Sequence, residues 1–174
     1  MENASESTIK GTGVVAGVAY AEAVWVRPRP ALPTEGSIDP EQASESEYNR
    51  FLAAVDTVAN RLEKRAAAAE GQAAEVLTAT AGMVKDRGWH KTVRKNIRTG
   101  RNAEFATVGA TDKFVTMFEA AGGVMAERTT DLKDVRDRVI AELRGEDEPG
   151  LPLVDGEAVL FADDLAPALS LIHI

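Results

Sequence analysis

The side chains with the most chemistry to offer lie in one basic segment at the centre of the chain, residues 85–101. Its cations are Lys85, Arg87, Lys91, Arg94, Lys95, Arg98 and Arg101, and Trp89 and His90 stand among them. Such a row of cations can bind phosphates of a nucleic acid. The spacing equally fits an amphipathic surface helix, because Trp89, Val93 and Ile97 recur one turn apart and the cations fall on the other side. We favour the solvated helix face and keep phosphate or nucleic-acid binding as the alternative.

Histidine can accept a phosphoryl group or bind a metal near neutral pH, and the sequence has two, His90 and His173. Neither stands in a metal-binding motif such as HExxH, so we predict no metal site. Cysteine is absent, which excludes a disulfide scaffold and a thiolate metal site. The glycines Gly11, Gly13 and Gly17 have the spacing GxGxxxG, which is typical of turns rather than of a phosphate-binding loop.

A second charged segment, residues 127–139, alternates acidic and basic side chains along one predicted helix. Lys133 with Asp137, and Asp134 with Arg138, stand four residues apart, and each such pair contributes about 0.2–0.5 kcal/mol. From the residues alone, this pattern predicts an exposed, salt-bridged helix face. The sequence contains no complete set of catalytic residues, so the residues and their spacing predict a helical interaction module.

Composition and charge narrow the function classes. The chain has 174 residues, 44% hydrophobic and 28% charged, which is typical of a globular protein and not of a disordered one. The net charge of −8 disfavours a general nucleic-acid binder, although residues 49–100 carry 10 basic and 5 acidic groups, a net of +5. No apolar run reaches the roughly 18 residues of a membrane span, and the first residues do not resemble a signal peptide. We therefore expect neither a nucleic acid nor a membrane as partner.

Apolar periodicity predicts a block of helices over about residues 40–144. Asp39 and Pro40 form a helix start, and this first helix ends near Ala69. Glycines then end or separate the later helices, with Asn102 as a further cap. The predicted inward residues are Tyr48, Phe51, Leu52, Val55, Val58, Ala59 and Leu62, then Val76, Leu77, Thr80, Met83 and Val84, then Trp89, Val93 and Ile97, then Phe105, Val108, Val115 and Phe118, and finally Leu132, Val135, Val139, Ile140 and Leu143.

Short strands flank the helical block. Residues Thr8 to Val26 are rich in valine and glycine and predict two strands around a turn near Gly17, followed by a proline-rich linker. Glu157 to Phe161 predicts one returning strand. Because so few strands cannot bury a face alone, they must pair with each other or with further chain. The sequence is therefore predicted to be mainly α, with a helical unit inserted into a small sheet layer.

Three segments together resemble one known family. The opening GTGVVAGVAYAEAVWV, the helix ERTTDLKDVRDRV at 127–139 and the strand and turn GEAVLFADDLAP at 156–167 are similar to enzyme I of the bacterial sugar phosphotransferase system, the phosphoenolpyruvate–protein phosphotransferase. The helix at 127–139 matches the family pattern E-R-x-x-D-x-x-D-x-x-x-R and is the most specific of the three. The resemblance covers about residues 8–167 in family order, with Glu22 where glycine is frequent.

The resemblance implies a helical subdomain that binds the carrier protein HPr, inserted into an incomplete α/β phosphohistidine subdomain. It divides the chain into residues 1–38, first strands and linker; 39–146, the HPr-binding helices; 147–168, the return strand; and 169–174, a tail unlike the family. The complete enzyme is a cytoplasmic transferase. It takes phosphate from phosphoenolpyruvate on a histidine, needs magnesium, and is a homodimer through a C-terminal domain.

The family's phosphoacceptor histidine stands in a G-G-x-x-S-H-like segment beyond the D-L-x-P turn, and these 174 residues contain no such segment. His173 follows the turn too soon and lacks the glycines and the serine. The tail LSLIHI predicts a truncated reading frame with non-native residues appended. We therefore expect a fragment that binds HPr, has no catalytic residue and no cofactor of its own, and does not turn over.

The resemblance also implies where HPr would bind, on the helix around residues 72–86 and at the start of the helix at 127–139. The predicted partner-binding residues are Gln72, Glu75, Val76, Ala79, Met83, Asp86, Arg128 and Asp131. The family often has a histidine and bulky apolar residues in the first of these helices, whereas this chain has Thr80, Ala81 and Gly82 before Met83. The alternative is a stand-alone helical adaptor without chemistry, and a third is a nucleic-acid module that uses the basic segment.

Overall fold

The computed structural model describes residues 16–150 and 157–162, and in this part of the chain five helices lie between two short strands. The elements are β1 (Glu22–Trp25), α1 (Pro40–Ala68), α2 (Gly71–Val84), α3 (Arg87–Arg98), α4 (Ala103–Ala121), α5 (Gly123–Arg144) and β2 (Ala158–Phe161). The prediction of a mainly helical chain is therefore confirmed. No described helix has both the length and the apolarity that crossing a membrane requires.

Side-chain caps explain where three of the helices begin. The Asp39 carboxylate accepts a hydrogen bond from the backbone N–H of Glu41 at 3.0 Å, and Pro40 takes the first helical position, as predicted. Asn102 accepts from the N–H of Phe105 at 2.9 Å and starts α4. Each cap gives a partner to an amide that the first turn of a helix otherwise leaves free.

The core lies where α1 crosses the other helices. The Phe51 ring packs against the indole of Trp89 in an edge-to-face arrangement, with ring centroids 5.4 Å apart. The indole Nε1–H of Trp89 donates to the Thr111 hydroxyl at 3.2 Å, which gives a buried polar group its partner. Most predicted inward residues are buried, but Tyr48, Leu52, Val76, Met83, Phe105, Phe118 and Leu143 are only half-buried.

The two strands form one parallel pair, in which Glu22 lies opposite Ala158 and Trp25 opposite Phe161. A parallel pair requires a long crossover, and here the whole helical block supplies it. The strands do pair with each other, and the helical unit is inserted between them as predicted. Trp25 and Phe161 contact one another across the pair and stay exposed.

The charged segment of α5 overturns one prediction. Residues 136–138 are buried rather than exposed, with Asp137 at 1% and Arg138 at 4% exposure. Asp134 pairs with Arg138 at 2.7 Å, as predicted. Asp137 instead pairs with Arg136 at 2.8 Å and with Arg29 at 3.9 Å, so its predicted pairing with Lys133 is wrong. The reason is tertiary: the linker that carries Arg29 approaches this part of α5.

Several predicted features lie outside the described residues. They are the first of the two early strands, Gly11 and Gly13, the D-L-x-P turn, and His173.

Candidate functional site

Seven of the eight predicted partner-binding residues lie on α2 and α5, two helices that contact each other directly. Gln72, Glu75 and Ala79 are exposed on α2, and Val76 and Met83 are half-buried between that exposed face and the core. The structure thus reproduces the division made from the sequence, in which Val76 and Met83 also faced a core. Of the predicted residues on α2, the side chains open to solvent are therefore Gln72, Glu75 and Ala79.

Asp86 occupies the corner between α2 and α3 and is exposed. Its carboxylate accepts the backbone N–H of Trp89 at 2.6 Å and so caps α3. A Cβ placed on the neighbouring Gly88 would lie 3.5 Å from Cζ of Phe114, which shows that α4 approaches this corner closely. Asp86 therefore serves the fold as a cap while its charge stays at the surface.

Arg128 and Asp131 lie one turn apart near the start of α5 and form an ion pair of 3.6 Å. Partial burial raises the pKa of Asp131 above its usual value, the Arg128 guanidinium opposes that shift, and Asp134 adds to it. Because Arg128 is exposed, this pair is open to exchange with the charges of a partner.

An exposed apolar group at the junction of α4 and α5 escaped the sequence reasoning. Val124 is 69% exposed, Met117 50% and Met125 43%. We call these three residues the junction patch. Val124 and Met125 directly precede the turn that carries Arg128. For Val124 and Met125 the signal in the sequence was their position after Gly122 and Gly123, outside the apolar stripe of α5. Exposed apolar side chains that group together mark interaction sites.

His90 has a structural environment. Its Nε2 lies 2.7 Å from the carbonyl oxygen of Val84, so that nitrogen carries the proton and donates. The ring is half-buried and meets Phe51 edge-on, with centroids 5.3 Å apart. Among residues 16–150 and 157–162, no group of three His, Asp or Glu side chains is placed to hold a metal ion.

The basic segment is an amphipathic surface helix, as favoured above. Trp89, Val93 and Ile97 are buried on one side of α3, and most of the cations are exposed on the other. Three cations of the segment have internal partners. Lys85 pairs with Glu63 at 2.6 Å, Arg94 lies over the Tyr48 ring at 4.7 Å, and Arg101 lies over the Phe105 ring at 4.9 Å.

Comparison with known proteins identifies the family of this chain. The family described as "PEP-utilising enzyme, N-terminal" matches residues 10–128. A phosphoenolpyruvate-protein phosphotransferase of Streptomyces coelicolor is 39% identical over 94% of this chain. The protein of the same name from Bacillus subtilis is 29% identical over 92% of it. The chain spans 29% of the length of each of these relatives.

Two solved structures share the fold. An NMR structure of enzyme I superimposes with a TM-score of 0.73 over 86% of this chain and 62% of its own length, at 23% identity. The N-terminal domain of an Enzyme 1 described as "Nitrogen" superimposes with a TM-score of 0.64 over 91% and 66%, also at 23% identity. The chain belongs to the family of PEP-utilising enzymes, and it corresponds to the N-terminal part of enzyme I, the phosphoenolpyruvate-protein phosphotransferase.

Proposed function

We propose that this chain binds the carrier protein HPr through the exposed face of α2 and the start of α5, and that it does not itself accept phosphate. The parent activity is the transfer of phosphate from phosphoenolpyruvate through a histidine to HPr, and the names of the relatives from Streptomyces coelicolor and Bacillus subtilis support it. The observation that carries the docking proposal is the exposure of Val124 and Met125, the two residues of the junction patch in the first turn of α5, shortly before Arg128.

The chemistry of the surface fits a partner with apolar and basic side chains around its active histidine, which is what the resemblance implies for HPr. Ala79 and the junction patch supply small and flexible apolar contacts. Glu75 and Asp86 supply exposed carboxylates on α2 and at the corner that follows it. An apolar centre with a charged rim is the usual anatomy of a protein interface.

The absence of turnover is proposed from the histidines. The Nε2–H of His90 donates to the carbonyl of Val84, and its ring is half-buried against the core residue Phe51, so the ring is only partly accessible. A phosphoacceptor needs a free nucleophilic nitrogen that phosphoenolpyruvate reaches. His173 lacks the sequence context of the family's acceptor.

The docking proposal is tested by titrating the full chain and three variants with purified HPr in a calorimeter. Ala79→Asp and Val124→Asp each place a charge in the apolar centre and should weaken binding at least about tenfold, or 1.4 kcal/mol. Glu75→Lys should mainly slow association and flatten its salt dependence, because rim charges act on the encounter rate. An aspartate in the first turn suits the helix dipole, so Val124→Asp should preserve α5.

Ala53→Asp is the matched control, because it adds the same charge to an exposed alanine of α1. It should leave HPr affinity within about twofold of the parent chain, and circular dichroism should be the same for all variants. Chemical-shift mapping gives the independent readout. Shifts confined to α3, with α2 and residues 124–131 unaffected, would refute this placement of the interface.

A further inference from the structure

Four cations of α3 form a row on one face of the helix. We call Arg87, Lys91, Lys95 and Arg98 the α3 row, and all four are exposed. At about 100° per residue they fall within an arc of about 80°, and the row is about 16 Å long. The buried residues Trp89, Val93 and Ile97 occupy the opposite side, so the row faces away from the core.

The row has no internal counter-charge among the described residues, which distinguishes it from its neighbours. Lys85 and Arg94 make ion pairs with Glu63 and Glu45. No side chain of the α3 row makes an ion pair within the described part of the chain. This part of the molecule therefore presents a strip of positive potential, although the chain as a whole carries a net charge of −8.

The row is also unfavourable to the helix that carries it. Arg87, Lys91 and Lys95 repeat at i, i+4 and i+8, and like charges at this spacing repel. Arg87 occupies the first helical position, where the helix dipole disfavours a cation, and among the described residues the Asp86 cap is the one carboxylate beside it at this helix start. Negative charge from outside would therefore stabilise the rest of the row.

Carboxylates of another protein fit the row better than other anions do. A protein that reads the bases of a nucleic acid needs exposed aromatic or amide side chains beside its cations, and the net charge of −8 disfavours binding through phosphates alone. Here Trp89 is buried, and the Asn96 side chain donates to the carbonyl of Ala106 at 3.0 Å. A membrane-binding helix needs exposed apolar residues to insert, and α3 exposes none.

We propose that the α3 row is a second interaction surface, distinct from the HPr-docking face, and that it binds an acidic segment of a protein. A helical segment with glutamates at every fourth position matches it, because both rows then repeat at about 6 Å. The attraction is between ammonium or guanidinium groups and carboxylates, and it involves no covalent step. It depends on salt as exposed charge pairs do.

The test uses a synthetic helical peptide of about 16 residues with glutamates at positions 1, 5, 9 and 12, spaced as in the α3 row, and the same peptide with glutamine at those positions. The full chain should bind the glutamate peptide at low salt, and its affinity for the peptide should fall as the salt concentration rises. The double variant Lys91→Glu/Lys95→Glu should bind at least about tenfold more weakly. The glutamine peptide should not bind.

The matched control is Lys64→Glu/Lys113→Glu, which changes the net charge equally at exposed lysines of α1 and α4. It should stay within about twofold of the parent chain, since general charge acts weakly at a distance in salt. An equal loss in both double variants overturns the proposal. Tighter binding of an RNA duplex or of phosphatidylserine vesicles than of the glutamate peptide also overturns it.

A second measurement addresses the cost of the row itself. Lys91→Glu turns the repulsion of residue 91 from Arg87 and from Lys95 into two attractive pairs. The thermal midpoint of the free chain should therefore rise by a few degrees. The same variant should bind the glutamate peptide more weakly. A fall in the midpoint would show that the row already serves the fold and would contradict the proposal.

Discussion

Arg65 holds Glu148 through two parallel hydrogen bonds, with Nη1 2.9 Å from Oε1 and Nη2 2.8 Å from Oε2. Arg138 donates to the same carboxylate from α5. The pair joins the end of α1 to the segment that leads back to the sheet. Two cations thus share one half-buried acidic side chain, which lies 83 residues along the chain from Arg65.

Glu148→Ala should lower the free energy of unfolding by about 3 kcal/mol, because it leaves Arg138, which is 4% exposed, without one of its two acidic partners. Urea unfolding at neutral pH measures the change. The control is Glu146→Ala. Among the described residues its one ion pair is a contact of 3.8 Å with Arg144 at the surface, so the change should cost at most about 0.5 kcal/mol. Equal effects of the two changes would contradict the role of Glu148.

The helical block should fold without the strands, because the core residues belong to helices α1 to α5. A fragment of residues 37–146 is predicted to be helical and cooperative. A fragment of residues 37–150 keeps Glu148 and should be more stable in urea by roughly the cost of Glu148→Ala. Equal stabilities of the two fragments would show that the ion pair of Arg65 and Glu148 forms only when the sheet is present.

Burial raises the pKa of the Asp137 carboxyl, and the nearby Arg136 and Arg29 only partly oppose that shift, while Asp134 adds to it. The folded chain therefore keeps the Asp137 proton to higher pH than the unfolded chain does. Its contribution to stability is present below the ordinary value of 3.8 and falls as pH rises through the raised pKa.

Asp137→Asn removes this titration, so its stability relative to the parent chain should increase as pH rises through that window. Urea unfolding at a series of pH values from about 3 to 8 measures the difference. Arg29→Gln should widen the window, because Arg29 is one of the two cations that lower the pKa of Asp137. A difference between Asp137→Asn and the parent chain that is independent of pH would refute the assignment.

The chain should not acquire phosphate from phosphoenolpyruvate. Incubation with labelled phosphoenolpyruvate and magnesium should leave the purified protein unlabelled, because His90 is half-buried against Phe51 and His173 lacks the sequence context of the family's acceptor. His90→Gln is the control for any background. Acid-labile label on the parent chain that is lost in His90→Gln, or that maps to His173, would contradict the prediction.

Patterns confined to one helix were predictable from the sequence. Asp39, Pro40 and Asn102 mark helix starts because a cap acts on amides only two or three residues away. The spacing of Phe51, Val55 and Leu62 defines an inward face because side chains three or four residues apart share one side of a helix. The resemblance to a known family then implied how these helices are inserted between the strands. The choice of docking residues on α2 and α5 stays a prediction.

The sequence by itself determined the helical class, the helix starts and the side of each helix that faces the core, since these follow from contacts within one or two turns. Only the tertiary structure decided the burial of Asp137 and Arg138, which depends on Arg29 and Glu148 approaching from other segments. It also decided that Val124 and Met125 stay exposed, because no other described element covers the start of α5 there. The local pattern determines which side chains share a helix face, and the packing of distant segments determines which of those faces are covered.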